Sequence, residues 1–301
     1  MYRRAWLSFV AMGCLTATGQ SQSTDSTAPK VAVILQGSSS FIVLMDGKGQ
    51  PRRLTTRPSG LEAEPALSQD GKWIAYSLAQ APEGKSEVWI APSTGGNGIL
   101  VSSADQDAIM PAFAQAGQSL LYVTSGFHGH YSPIARPRRH DFDINQIQLS
   151  PNGSAATSPP VALTHQKFFD LRSLSVSDDG ASFLISTTGY PIGDLFEEFE
   201  VASSERTKKI FQPVVPGSPS SGVAYGRAAY VGMNIVFEAA SQPANGGNFD
   251  YNLYEMSAVT GGNIVQLTTH QGLIDDLWVN KGDVWMLDQG QWKPIKLPEA
   301  N

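Results

Sequence analysis

The chain has 301 residues and a mass of 32.3 kDa, which suits one large repetitive domain or two ordinary ones. Its 29 glycines and 19 prolines exceed average usage, while charged residues make up only 16% against about a quarter in ordinary soluble domains. Many turn formers with few charges indicate short strands, and a net charge of −6 excludes the basic footprint of a nucleic-acid binder.

The chain starts Met1-Tyr2-Arg3-Arg4 and continues as an apolar run from Ala5 to Gly13, just ahead of Cys14. A basic start followed by an apolar run has the form of an export leader. The run is about half of the ~20 residues a spanning helix needs, and no transmembrane span is expected. Two processing readings stand side by side over residues 1–19. Ala11-Met12-Gly13-Cys14 resembles a bacterial lipobox, in which Cys14 is the lipidation site; Ala17-Thr18-Gly19 offers small residues for ordinary cleavage. The expected location is therefore the periplasm, or the membrane surface as an anchored lipoprotein. Cys14 is the single cysteine, so the mature domain is expected to hold no disulfide, thiol nucleophile or cysteine zinc site. Residues 20–29 are polar and read as a flexible tether before a domain over 30–301.

A repeat dominates the rest. Glu64-Pro65 leads to Ser68-Gln69-Asp70-Gly71-Lys72-Trp73-Ile74-Ala75-Tyr76, and then to Val88-Trp89-Ile90 and Ile99-Leu100. Related runs surround Met110-Pro111 and Gly117, Ser177-Asp178-Asp179-Gly180, and Gly232. The turn glycines Gly71, Gly117 and Gly180 advance by 46 and 63 positions, and the repeat ends Leu54, Leu100 and Leu163 advance by the same steps. Each unit predicts a small antiparallel sheet with tight glycine turns and two apolar faces, which must pack against its copies around an axis. Repeat ends at Leu54, Leu100, Leu163, a worn one near Val214, Leu267 and Leu297 predict an all-β propeller of six blades, each of three to four strands. Five blades plus a composite closing blade is the alternative. The first blade is short of its inner strand, and pairing of the terminal strands is expected to close the ring.

These residues resemble the repeat of the TolB-type β-propeller, a WD-like repeat family. Ser68-Gln69-Asp70-Gly71 with Trp73-Ile74-Ala75-Tyr76, and Leu54-Thr55 at a repeat end, carry the likeness. It spans about 31–298, and the α/β domain that precedes the propeller in TolB itself is not expected here. The resemblance implies protein contacts through the channel mouth and its loops.

Chemistry concentrates in the third repeat, the longest. Its insertion holds His128, His130, Arg136, Arg138, Arg139 and His140, with Asp141 and Asp143 beside them. Arginine forks suit an acidic partner or an anion; His128 and His130 with His140 or Asp143 form a metal alternative, and a solvated insertion paired with local carboxylates is the plain reading. The adjacent Glu197 and Glu198 point to opposite faces of a strand and cannot straddle one bond. No nucleophile elbow or phosphate loop is present, so no catalytic residue, metal or cofactor is expected. The function expected is an exported, monomeric, non-catalytic module that binds a protein or cell-envelope partner through loops on one face. The competing expectation is a lyase or hydrolase acting on carbohydrate or peptide, with ionisable groups from several blades meeting in the central channel.

Overall fold

The computed structural model describes residues 31–298 except 37, 45–50, 56–58, 115–116, 131, 133–137, 152–155, 190–192, 218–222, 242–248, 281 and 290. Cys14, the leader and the tether lie outside the described residues. The chain opens with a three-stranded N-terminal unit, β1 (Val31–Gln36), β2 (Ser39–Leu44) and β3 (Arg52–Arg53). Four complete blades follow. The first is β4 (Leu61–Leu67), β5 (Trp73–Ala79), β6 (Ser86–Pro92) and β7 (Ile99–Leu100). The second is β8 (Asp107–Ala114), β9 (Ser119–Gly129), β10 (Arg138–Gln148) and β11 (Val161–Ala162). The third is β12 (Leu171–Val176), β13 (Ser182–Gly189), β14 (Gly193–Glu200) and β15 (Thr207–Phe211). The fourth is β16 (Tyr225–Val231), β17 (Asn234–Ser241), β18 (Asp250–Ser257) and β19 (Val265–Gln266). A three-stranded C-terminal unit ends the fold: β20 (Asp276–Asn280), β21 (Asp283–Asp288) and β22 (Gln291–Ile295). The architecture is an all-β propeller.

Pairing within every blade is antiparallel in chain order, and a single parallel pairing, Ser40↔Leu61, links the N-terminal unit to the first blade. The core is a succession of apolar interfaces between neighbouring sheets. Ile74, Tyr76 and Leu54 fill the first; Tyr122, Ile90 and Leu120 the next; Phe183, Phe199 and Leu121 the third; Phe237, Phe196 and Tyr254 the fourth. Val236, Val284, Leu253 and Met286 seat the C-terminal unit. Among the described residues no strand pairing joins the two terminal units, so the expected closure by paired terminal strands is not formed there. The reason is topological: β1 takes the place of a second strand and β22 that of a third.

Both sequence landmarks have a physical role. In the Ser-x-Asp-Gly turn, Ser68 Oγ donates to Asp70 Oδ1 (2.7 Å) and accepts from the Trp73 amide (2.9 Å), while Asp70 accepts from the Lys72 amide (3.0 Å). Ser177, Asp179, Ala181 and Ser182 repeat the network, and Gly71 and Gly180 take φ of 72° and 69°. These bonds hold the Asp70 and Asp179 carboxyls below their usual range. At the repeat ends, Leu54, Val101, Leu163 and Leu267 donate amides to the third strand of their own sheet. The next residue then supplies a hydroxyl: Ser102, Thr164 and Thr268 accept from the amides of Val88, Ile144 and Leu253 at 2.9 Å each.

Buried tyrosines give a pH test. Burial pushes the Tyr122 phenol up to about 12 and raises Tyr225, Tyr230 and Tyr254 as well. A phenol raised above its unfolded value of about 10 contributes stability below that pH, and the contribution fades as pH climbs through the folded value. The denaturation midpoint is expected to fall steeply between pH 10 and about 12, with ultraviolet titration showing a group of phenols that ionise only on unfolding. All tyrosines titrating near 10 in the folded protein would contradict this.

Candidate binding face

Antiparallel order fixes what each end of the ring carries. At one end, the turn end, the innermost strands finish and the tight glycine turns sit. At the other, the loop end, the innermost strands begin; the second and third strands connect there, as do consecutive blades. The loop end carries, among the described residues, 163–170, 212–217, 223–224, 249 and 267–275.

The basic insertion of the third sequence repeat, which lies in the second complete blade, is not a loop but an arm of β9 and β10. Ladder pairing continues through Phe127↔His140, His128↔Arg139 and Gly129↔Arg138, beyond the last β8 partner at Ser125. The two faces of the arm are held differently. On one face Arg139 forks onto Asp107 (Nε–Oδ2 2.6 Å, Nη2–Oδ1 3.1 Å) and also reaches the Gly84 carbonyl and Ser86 Oγ at 3.1 Å each. Asp107 starts β8, its side chain is 1% exposed, and its Oδ1 accepts the Ser86 amide (2.8 Å). His128 Nδ1 lies 3.8 Å from the same carboxylate. On the opposite face His140 stacks on Phe127 (4.2 Å between ring centres) and lies 6.2 Å from Phe169, with Asp141 at 2.9 Å. The register thus separates His128 from His140. Asp143 faces the blade end, accepting from Thr164 Oγ1 (2.9 Å) and the Gln166 amide (2.8 Å). Arg138 and exposed His130 lie at the distal end of the arm; Arg136 falls outside the described residues. Arg139 is thereby a joint between two blades.

A second group was not foreseen. The innermost strands carry bulges, between Ala63 and Ala66, Ile109 and Ala112, Leu171 and Ser173, and Tyr225 and Ala228. Glu64 and Met110 sit in them with φ of 52°. Glu64 Oε2 accepts from Ser77 Oγ (2.8 Å) and from the Met110 amide of the next blade (2.7 Å). Arg172 binds Asp194 (2.7 Å), Asp170 (2.9 Å) and the Tyr225 carbonyl (2.8 Å). Arg227 pairs with Asp276 of the C-terminal unit, and its amide donates to Glu238 Oε2 (3.3 Å). A Cβ on Gly226 would lie 1.9 Å from that oxygen, so only glycine allows the approach. Burial works against the Arg227 charge, but Asp276, Glu238 and Glu64 outweigh it and its pKa is raised; burial raises Asp276 despite Arg227. Proline inside an inner strand, in Glu64-Pro65 and Met110-Pro111, was the available signal, because sheet-interior proline marks a bulge.

The loop end also displays apolar side chains. Phe169 (54% exposed), Val214 (75%), Phe249 (43%) and Leu273 (53%) stand on four of its connections. At the rim His165 lines an open cleft of about 720 Å³ with Glu200, Arg206 and Lys208. Glu197 and Glu198 part as expected, Glu197 accepting from Thr207 Oγ1 (2.7 Å) and Glu198 pairing with Lys208 (3.3 Å).

Solved structures share this fold. The chain is similar to TolB from Acinetobacter baumannii, with a TM-score of 0.57 and 16% identity over 88% of this chain and 63% of that one. A putative TolB from Agrobacterium tumefaciens gives 0.54 and 17%, over 82% and 80%. A puromycin hydrolase S511A mutant complexed with PGG gives 0.52 and 12%, over 87% and 44%. The chain thus spans less than two thirds of the Acinetobacter protein, and at these identities the likeness shows the propeller fold alone. No family model and no curated protein matches the sequence.

Removing one member of a buried, fork-bonded pair strands the other charge, at a cost of about 3–5 kcal/mol. Arg139→Ala is expected to lower unfolding free energy by about 3 kcal/mol, and Asp107→Asn in the same chain to restore part of it. Chemical denaturation of the two variants decides: a loss under about 0.5 kcal/mol for Arg139→Ala would mean that the arm is not anchored this way.

Proposed function

We propose that the protein is an exported, TolB-like six-bladed propeller, the two terminal units each counting as a blade, that serves as a non-catalytic binding module. Its partner is a protein or cell-envelope component, and it docks on the loop end. The observation that carries the reading is the gathering of Phe169, Val214, Phe249 and Leu273 on separate connections at one end, beside the basic arm. Apolar side chains rimmed by polar groups mark interaction surfaces. Arg138 adds a cationic margin suited to an acidic patch and His130 a polar one, Arg136 is a further candidate for the same contact, and His128, Arg139 and His140 position the arm. The similar TolB structures support a binding role over any particular chemistry. In this reading the body is monomeric, and the lipidation of Cys14 decides whether it is anchored or free.

The meeting of Arg227, Asp276, Glu238 and Glu64 favours a second reading, a channel enzyme acting on carbohydrate or peptide; a hydrolase is among the similar structures. The binding reading is preferred because Arg227 is paired with Asp276, and Glu64 Oε2 already takes two hydrogen bonds.

Photocrosslinking in the native envelope tests it. A photoreactive side chain at Phe169, Phe249 or Leu273 is expected to capture one common partner, and one at Met233, exposed at the turn end, to capture none. Equal capture from both ends, or from neither, would overturn the docking face.

A further inference from the structure

Among the described residues the N-terminal unit is one strand short. β4, β8, β12, β16 and β20 each lie innermost in their sheet, yet β1–β3 begin at the second position: Val43↔Arg53 and Leu44↔Arg52 repeat the third-to-fourth pairing Trp89↔Leu100 and Ile90↔Ile99. The inner edge of β1 is therefore where an innermost strand belongs. Backbone directions show that this edge is competent. The Ile42 amide donates to Glu62 Oε2 (2.9 Å) and its carbonyl accepts from the Leu54 amide (2.8 Å), both away from β1. Val33, paired with Ile42, must then turn its own N–H and C=O away from β2, and the alternation of an antiparallel ladder adds Val31 and Leu35. Among the described residues none of these groups is hydrogen-bonded.

We propose that a partner protein supplies the missing strand: one extended segment, matching the six residues of β1, laid antiparallel along its inner edge. The slot admits a single chain, because β4 packs against both β1 and β2 and excludes the sheet edge of a second copy. The inner strands already present define the side chains it takes, mainly small and apolar ones such as Ala108, Ile109, Ala112 and Ala114 of β8 and Ser173, Leu174, Ser175 and Val176 of β12. This site is separate from the loop-end surface and stands or falls independently of it.

Hydrogen exchange on the full chain tests the assignment, with an acetylated peptide of the β8 sequence Asp107–Ala114 as probe. Without peptide, the Val33 and Leu35 amides are expected to exchange at least about tenfold faster than those of Ala32 and Ile34, which bond to β2. Millimolar peptide is expected to slow them about tenfold. Val33→Pro deletes an amide directed away from β2 and keeps the β1–β2 ladder, so it should fold and lose the slowing. Three results would overturn the proposal: amides already protected without peptide, showing that the chain's own preceding residues fill the slot; protection that follows concentration-dependent dimerisation; or no slowing of the wild-type amides by peptide.

Discussion

A four-stranded sheet with apolar side chains on both faces cannot stay in water, and that constraint organises the whole molecule. Alternation puts Ile74 and Tyr76, or Phe183 and Ile185, towards one neighbour while the residues between them face the other. Each sheet is therefore covered only when the next is in place, and stability is shared along the series rather than held in one centre. Turns and repeat ends follow from this, since both must return the chain to the same radius at every pass. The serine–aspartate turn and the hydroxyl that accepts the third-strand amide are local devices for that return.

Between the apolar interfaces run polar joints, and these give each junction its own identity. Glu62 accepts the Ile42 amide and the Thr55 hydroxyl, tying the N-terminal unit to the first blade. Glu64, and the bonds of Gly84 and Ser86 to the Asp107–Arg139 pair, tie the first blade to the second. Hydroxyls of Ser173 and Ser175 accept the Ala228 and Tyr230 amides (3.0 Å each), and Arg172 bridges the same junction to the Tyr225 carbonyl. Because a buried carboxylate without its partner is costly, each joint accepts one neighbour in one register.

The repeating architecture was legible because its determinants are local. Gly71 and Gly180 need positive φ, and each repeat end needs an apolar residue, filled by Leu54, Leu163 and Leu267 and, one place beyond Leu100, by Val101, so both recur at closely similar intervals. The arm was not legible as an arm: His128 to Asp143 lacks the alternation of a half-buried strand, since both its faces are covered, one by Asp107 and the neighbouring blade, the other by Phe169. Arg139 looked like a free fork for the same reason, its partner lying far away in sequence at Asp107. The axial residues were missed because a bulge changes where a side chain points without changing the hydropathy pattern. Pairing of the terminal strands is not formed among the described residues, where β1 takes the second position of its unit, and only the register of β2 with β3 reveals that.

The outermost strands deserve comparison with the inner ones. In three of the four complete blades the rim strand is two residues long, and in the C-terminal unit β22 presents Pro294 and Lys293 at its edge. Two molecules meeting perimeter to perimeter would find only two-residue ladders at those three rims. Among the described residues the perimeter thus offers little backbone for edge-to-edge pairing, β15 and β22 being its longest stretches.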